Sequence, residues 1–81
     1  MNVDVRYFAS AREAVGREVE RVELDDGATV AALREQLFDA HPALRALGGG
    51  LRFAVGTQFA DGDVALDDGA EVALIPPVSG G

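Results

Sequence analysis

Apolar and polar positions alternate from the start of the chain. Val3, Val5 and Tyr7 are interleaved with Asp4 and Arg6, which predicts a strand with one apolar face. Phe8 falls on the polar face of that strand. Ser10-Ala11-Arg12-Glu13 has the form of a capping box, and Gly16 is placed to end a short helical turn. A second strand is predicted from Glu18 to Leu24. Val22 and Leu24 share a face there, but Val19 is out of phase with them, which predicts a bulge or a twisted edge.

Asp25-Asp26-Gly27 reads as a turn, and Thr29 as the N-cap of a helix. Val30, Leu33 and Leu37 form one apolar stripe, flanked by Phe38 and His41. Pro42 ends that helix or begins another turn around Leu44 and Leu47. Gly48-Gly49-Gly50 predicts a flexible loop. Leu51, Phe53 and Val55 alternate with Arg52 and Ala54 as a third strand, and Phe59 is placed in a turn region. Ala60-Asp61-Gly62-Asp63 and Asp67-Asp68-Gly69 bracket a short strand at Val64 to Leu66. The last strand runs from Glu71 to Ile75, with Val72 and Leu74 inward.

Two early strands, one crossover helix and three later strands define an α+β fold, a mixed sheet with one main helix packed on one face. This is the β-grasp arrangement of ubiquitin-like proteins. One such domain is expected over residues 1–75, followed by an extended tail over residues 76–81, Pro76-Pro77-Val78-Ser79-Gly80-Gly81.

Composition narrows the chemistry. With 81 residues the chain is sized for one domain, and 48% hydrophobic residues suffice for a core. There is no cysteine, so disulfides, thiolate metal sites and cysteine nucleophiles are excluded. No apolar run approaches a membrane span, and Met1-Asn2-Val3-Asp4 lacks the start of a signal peptide; a cytoplasmic location is expected. Fourteen acidic residues face seven basic ones, all arginine, for a net charge of −7. That balance argues against nucleic acid and membranes as partners and suits a basic docking surface on another protein, although it also serves solubility alone. The absence of lysine means that no side chain here can accept an isopeptide bond.

The tail is where chemistry concentrates. Pro76-Pro77 cannot continue a ladder, because proline lacks the amide donor and fixes φ; a short, stiff, extended spacer leaving the sheet is expected. Gly80 and Gly81 carry no Cβ, so they fit a channel too narrow for a side chain and leave the final carboxylate open to attack. A carboxylate becomes electrophilic when it is joined to AMP. A sulfur donor can then displace AMP to leave a thiocarboxylate, and a chain without cysteine has no other place to carry such sulfur. Ten glycines among 81 residues make a chance Gly-Gly ending a weak signal alone; its position on a proline stalk after the last strand strengthens it.

Val5-Arg6-Tyr7-Phe8-Ala9 with Arg12-Glu13, Asp68-Gly69-Ala70-Glu71-Val72-Ala73, and above all Pro76-Pro77-Val78-Ser79-Gly80-Gly81 give a sequence that resembles the MoaD/ThiS group of ubiquitin-like carriers along the whole chain. Within that group it is similar to the small, sulfur-carrying subunits of molybdopterin synthase. Two positions depart from the group's pattern: Gly56 stands where asparagine is common, and Ile75 where an aromatic residue is frequent.

The resemblance implies a carrier that is not an enzyme on its own. It holds no permanent cofactor: ATP is consumed by an activating partner, and sulfur is carried covalently at Gly81. The implied partners are a ubiquitin-activating-like adenylyltransferase, a sulfur donor protein and the large catalytic subunit of molybdopterin synthase. In that subunit sulfur passes to a cyclic pyranopterin phosphate, and two transfers make a dithiolene. The alternatives are carriage in thiazole, cysteine or tungsten-cofactor synthesis, a protein modifier attached through Gly81, and a binding module with a passive tail.

Phe8, Phe59 and Ile75 are the candidate docking residues, with Pro76, Pro77, Val78 and Ser79 as the segment that a partner would hold. Outward apolar groups near a functional tail point to an interface, although single exposed hydrophobics are ordinary. His41 lies at a helix end with no nucleophile beside it, which favours a structural role. Asp25-Asp26 and Asp67-Asp68 each precede glycine and are explained as turns, so no metal site is expected. Gly48-Gly49-Gly50 lacks the lysine and the strand–helix setting of a phosphate loop. Arg12 reads as a surface arginine.

Overall fold

The apolar alternation of the first residues becomes β1 (Asn2–Tyr7), with Val3, Val5 and Tyr7 buried on one face, in a computed structural model that describes residues 1–77. The remaining elements are α1 (Ala9–Val15), β2 (Val19–Glu23), α2 (Val30–Ala40), α3 (Pro42–Arg45), a 3-10 turn (Gly48–Gly50), β3 (Arg52–Val55), β4 (Gln58–Ala60) and β5 (Glu71–Ile75). The five strands form one sheet in the order β2-β1-β5-β3-β4. The β1–β5 pair at its centre is parallel, and the other pairs are antiparallel. This is the β-grasp topology.

Helix α2 is built as its sequence requires. The Thr29 hydroxyl accepts from the Ala32 amide at 3.2 Å, satisfying a donor that the first turn leaves open. Val30, Leu33 and Leu37 are buried against the inner sheet face, where Val3, Val5, Val22, Phe53, Val72 and Leu74 complete the core. Pro42 occupies the first turn of α3, which buries Leu44; a proline costs nothing there because its missing amide has no partner in that turn.

Four local expectations are corrected. The Ser10 capping box does not form: α1 starts at Ala9 with Phe8 as its N-cap and no side-chain cap bond. The helix start has moved because Ala9 itself takes φ +48°, a turn that sets the backbone before Ser10 is reached. Gly16 does end α1 in the left-handed conformation, its amide bonding Arg12 O at 2.8 Å.

β2 has no bulge, since Asn2 to Arg6 pair continuously with Glu23 to Val19, but it is an edge strand of the sheet. Val19 is out of phase because it points to the outer face, and the inner position beside it is filled by Glu20.

The short strand lies at β4, not at Val64 to Leu66. Gly56 and Thr57 close a two-residue hairpin between Val55 and Gln58, with Gly56 at φ +62°, the conformation that such loops demand at their first position. Near Leu66 there is only an isolated bridge, Thr29 to Ala65, and Leu66 itself is buried. The glycines at 48–50 form a 3-10 turn where a loop is predicted.

Candidate functional site

Strand register places every outward side chain. From the edge inward and across, Phe59 pairs with Ala54, Ala54 with Ala73, Ala73 with Arg6, and Arg6 with Val19. One row therefore crosses all five strands, with a floor of two alanines and an exposed hydrophobic at each end. Phe59 is 56% exposed and Val19 is 40% exposed. A second row lies beside it at the end of the sheet where β5 finishes. Arg52 pairs with Ile75, and the Phe8 amide bonds Leu74 O at 3.3 Å, which extends the parallel ladder by one residue and brings Phe8 alongside Ile75. Phe8 is 46% exposed and Ile75 half-buried.

Phe8, Phe59 and Ile75 thus share the outer face of the sheet, opposite the helices. Phe59 sits in a strand rather than in a turn. Sequence reasoning missed Val19, Ala54, Ala73 and Arg52 on this face. The signal was available only through pairing register, because Ala54 and Ala73 are unremarkable in a hydropathy pattern.

The charge pattern is asymmetric. Arg52 stacks over the Phe59 ring at 3.7 Å, and Arg6 stands in the apolar row between Ala73 and Val19; among the described residues neither makes a salt bridge. Arg12 bonds Glu18 at 3.0 Å beside Phe8. The aspartate turns lie at the other end of the sheet: Asp26 faces the N-terminal ammonium at 3.3 Å and Asp68 accepts from the Asn2 amide at 2.8 Å. The molecule is acidic overall, but its apolar face near the end of β5 carries cations.

The stalk starts here. β5 ends at Ile75, where a proline removes the next donor. Pro76 is buried, and exposure starts at Pro77. Pro77 lies against Gly50 of the 3-10 turn. Val78, Ser79, Gly80 and Gly81 lie outside the described residues.

His41 is half-buried between α2 and α3, with Nε2 2.9 Å from Glu20 Oε1 and its ring edge-on to Tyr7. It is tied into the packing on the helix side of the sheet, away from the outer face. No group of three His, Cys, Asp or Glu side chains that could hold a metal occurs among the described residues, and no helix among them is long and apolar enough to cross a membrane.

A β-grasp sheet whose outer apolar face is exposed among the described residues, with Pro76 and Pro77 following its central strand, defines a ubiquitin-like protein. The sequence model of the ThiS family matches residues 5–81. The chain is 42% identical over 83 residues to the molybdopterin synthase sulfur carrier subunit of Chlamydomonas reinhardtii, with 100% of each chain covered. It is 35% identical over 91 residues to small archaeal modifier protein 1 of Haloferax volcanii, covering 94% of this chain and 97% of the relative; the solved structure of that protein superposes with a TM-score of 0.89 at 32% identity and full coverage of both chains. A complex of subunits 1 and 2 of the molybdopterin-converting factor from Helicobacter pylori contains a chain matching at TM-score 0.72 and 28% identity, again covering 100% of both. The chain belongs to the ThiS family.

Proposed function

We propose that this protein is the sulfur carrier subunit of a molybdopterin synthase, with Gly81 as the reacting residue. The observation that carries the reading is where the tail begins: Pro76 and Pro77 follow β5, the central strand of the sheet, beside the outer face that bears Phe8, Phe59 and Ile75. A partner that grips that face has the chain end within reach of its own pocket. The Chlamydomonas relative, named as a sulfur carrier subunit, and the Helicobacter complex of the two converting-factor subunits support it.

The chemistry needs no pocket in this chain. A carboxylate oxygen of Gly81 attacks the α-phosphorus of ATP on an adenylating enzyme, and pyrophosphate leaves. A sulfide-level donor then attacks the acyl carbon; a C–S bond forms, the C–O bond to AMP breaks, and AMP leaves. The resulting thiocarboxylate is a sulfur nucleophile. In the large subunit its sulfur attacks a carbon of the pterin substrate; a C–S bond forms, the C–O bond at that carbon breaks and its oxygen leaves, and water then opens the thioester to restore the Gly81 carboxylate. Two such transfers supply both dithiolene sulfurs. Gly80 lets the end thread the partner's channel; Pro76, Pro77, Val78 and Ser79 span the distance to it. Phe8, Phe59 and Ile75 dock the face, with Arg6 and Arg52 meeting acidic groups of the partner.

A second reading is protein modification through Gly81, and the Haloferax relative named as a modifier favours it. Intact mass of the protein from its own host, purified under mild non-acidic conditions, decides between them. Exchange of one oxygen for sulfur on the C-terminal peptide, with stable binding to a molybdopterin synthase large subunit, supports the carrier. Branched adducts on other proteins with no such exchange support the modifier.

A further inference from the structure

Gly50 has an unusual reason to be glycine. Its φ lies outside the left-handed region, so an alanine fits its backbone and, on conformational entropy alone, is favoured over glycine. What excludes a side chain is Pro77. A methyl group built on Gly50 comes within 2.8 Å of Pro77 Cγ, 3.2 Å of Cβ and 3.3 Å of Cδ. A flexible side chain would swing away from such a contact. A proline ring is closed onto its own backbone nitrogen, so it yields only if the main chain of the stalk moves with it. Gly49, one residue earlier, would place its methyl in open space with nothing within 4 Å.

We infer that Gly50 is a positioning residue for the tail: the gap left by its missing side chain seats the Pro77 ring against the 3-10 turn, and this seat sets the heading of the chain at Pro77 relative to the docking face. The inference rests on the reading of Gly81 as the reacting residue. Pro76 is buried and Pro77 is held, so the stalk is fixed at two consecutive residues. A partner then meets the sheet face and the tail as one preorganised unit. With the seat blocked, face docking and tail insertion become separate events, and the second loses effective concentration.

The test compares Gly49→Ala, Gly50→Ala and Gly50→Ala in a Pro77→Gly background, read as KM and kcat for ATP-dependent thiocarboxylation by the adenylating enzyme of the same host, with thermal unfolding measured alongside. Gly50→Ala is expected to raise KM for this protein roughly fivefold, the scale of one residue's lost ordering, with kcat and unfolding temperature unchanged. Gly49→Ala stays at the wild-type value. Once Pro77→Gly has removed the ring, Gly50→Ala adds no further loss. The inference is overturned if Gly50→Ala behaves as Gly49→Ala does, or if it costs as much with the ring absent as with it present. Should the wild-type chain itself fail to be activated, the carrier reading fails instead. The seat is then judged on the free protein by the nuclear Overhauser effect between the Gly50 α-protons and the Pro77 ring: its presence supports the seat and its absence removes it.

Discussion

Tyr7 donates its phenolic hydrogen to Glu20 Oε1 at 2.7 Å, joining the inward side of β1 to the inward side of β2. The same oxygen lies 2.9 Å from His41 Nε2, and Arg17 approaches the other carboxylate oxygen at 3.5 Å. Burial and the Glu20 bond push the Tyr7 phenol well above its ordinary value. Burial alone would raise Glu20, but the bonds from Tyr7 and His41 outweigh it and hold the carboxyl below its usual 4.5.

A carboxyl with a depressed folded-state value stabilises the fold while it is ionised in both states; that stabilisation is present above the unfolded value and is lost as pH falls through the folded one. The stability difference between wild type and Glu20→Gln is therefore expected to shrink as pH falls below the usual 4.5, read from urea unfolding across the acid range. Tyr7→Phe is expected to lose about 1 kcal/mol at neutral pH, the net worth of one hydrogen bond. A Glu20→Gln difference that does not change with pH would show that the carboxylate gains nothing from its partners.

Ala9 and Gly16 bracket α1 with opposite conformational economies. Ala9 holds φ +48° with a Cβ, and Gly16 holds φ +83° without one. A left-handed conformation costs an L-residue about 1 kcal/mol. Ala9→Gly is expected to leave stability unchanged or raise it by up to about 1 kcal/mol, the released strain set against glycine's added chain entropy. Gly16→Ala, which meets no atom within 4 Å, is expected to lose about 1 kcal/mol by backbone strain alone. Thermal unfolding of the two variants should therefore shift in opposite directions, or only Gly16→Ala should move.

Phe59 is the most exposed of the large hydrophobics on the outer face and stacks beneath Arg52. Aromatic anchors of this kind carry a disproportionate share of binding energy. Phe59→Ala is expected to weaken association with the large subunit about tenfold, or about 1.4 kcal/mol, with little change in unfolding. Val64→Ala removes an exposed hydrophobic from the loop beside α2, off that face, and is expected to leave affinity unchanged. Calorimetric titration of both variants separates a docking face from general exposed apolar surface.

How far these features could be read in advance depends on the range of the interaction behind each. Thr29, Gly16, and the stripe of Val30, Leu33 and Leu37 act within a turn or two of chain, and their roles were legible. The β-grasp order was legible because the apolar strands alternate strictly at Val3, Val5 and Tyr7 and at Val72 and Leu74. Val19 was read as the mark of a bulge or twisted edge because a hydropathy pattern registers the charged inward residue beside it, Glu20, as a break in phase, whereas Tyr7 and His41, brought from other elements, satisfy that carboxylate. β4 was missed because three residues give no period, and its identity rests on pairing with β3. Ser10 was credited with a cap that the left-handed Ala9 pre-empts. The outer face was legible only as Phe8, Phe59 and Ile75; its alanine floor needs register, and the Gly50–Pro77 seat needs two segments far apart in sequence to be placed together.

Gly81 gives the sharpest functional test. Among the described residues the core ends with Leu74 and the buried Pro76, and deletion of Gly81 is expected to leave thermal unfolding unchanged. Activation, in contrast, is a property of one acyl carbon. Deletion moves the carboxylate back to Gly80, one residue short of its place, and a reacting atom misplaced by even about 1 Å loses on the order of a hundredfold in rate; a full residue is several times that distance. Incubation with ATP, sulfide and the host adenylating enzyme, followed by mass analysis of the C-terminal peptide, is expected to give the oxygen-for-sulfur exchange in wild type and none in the deletion. A deletion variant that still restored dithiolene synthesis in cells lacking the carrier would mean that the tail is passive and that the sheet face is the working part of the molecule.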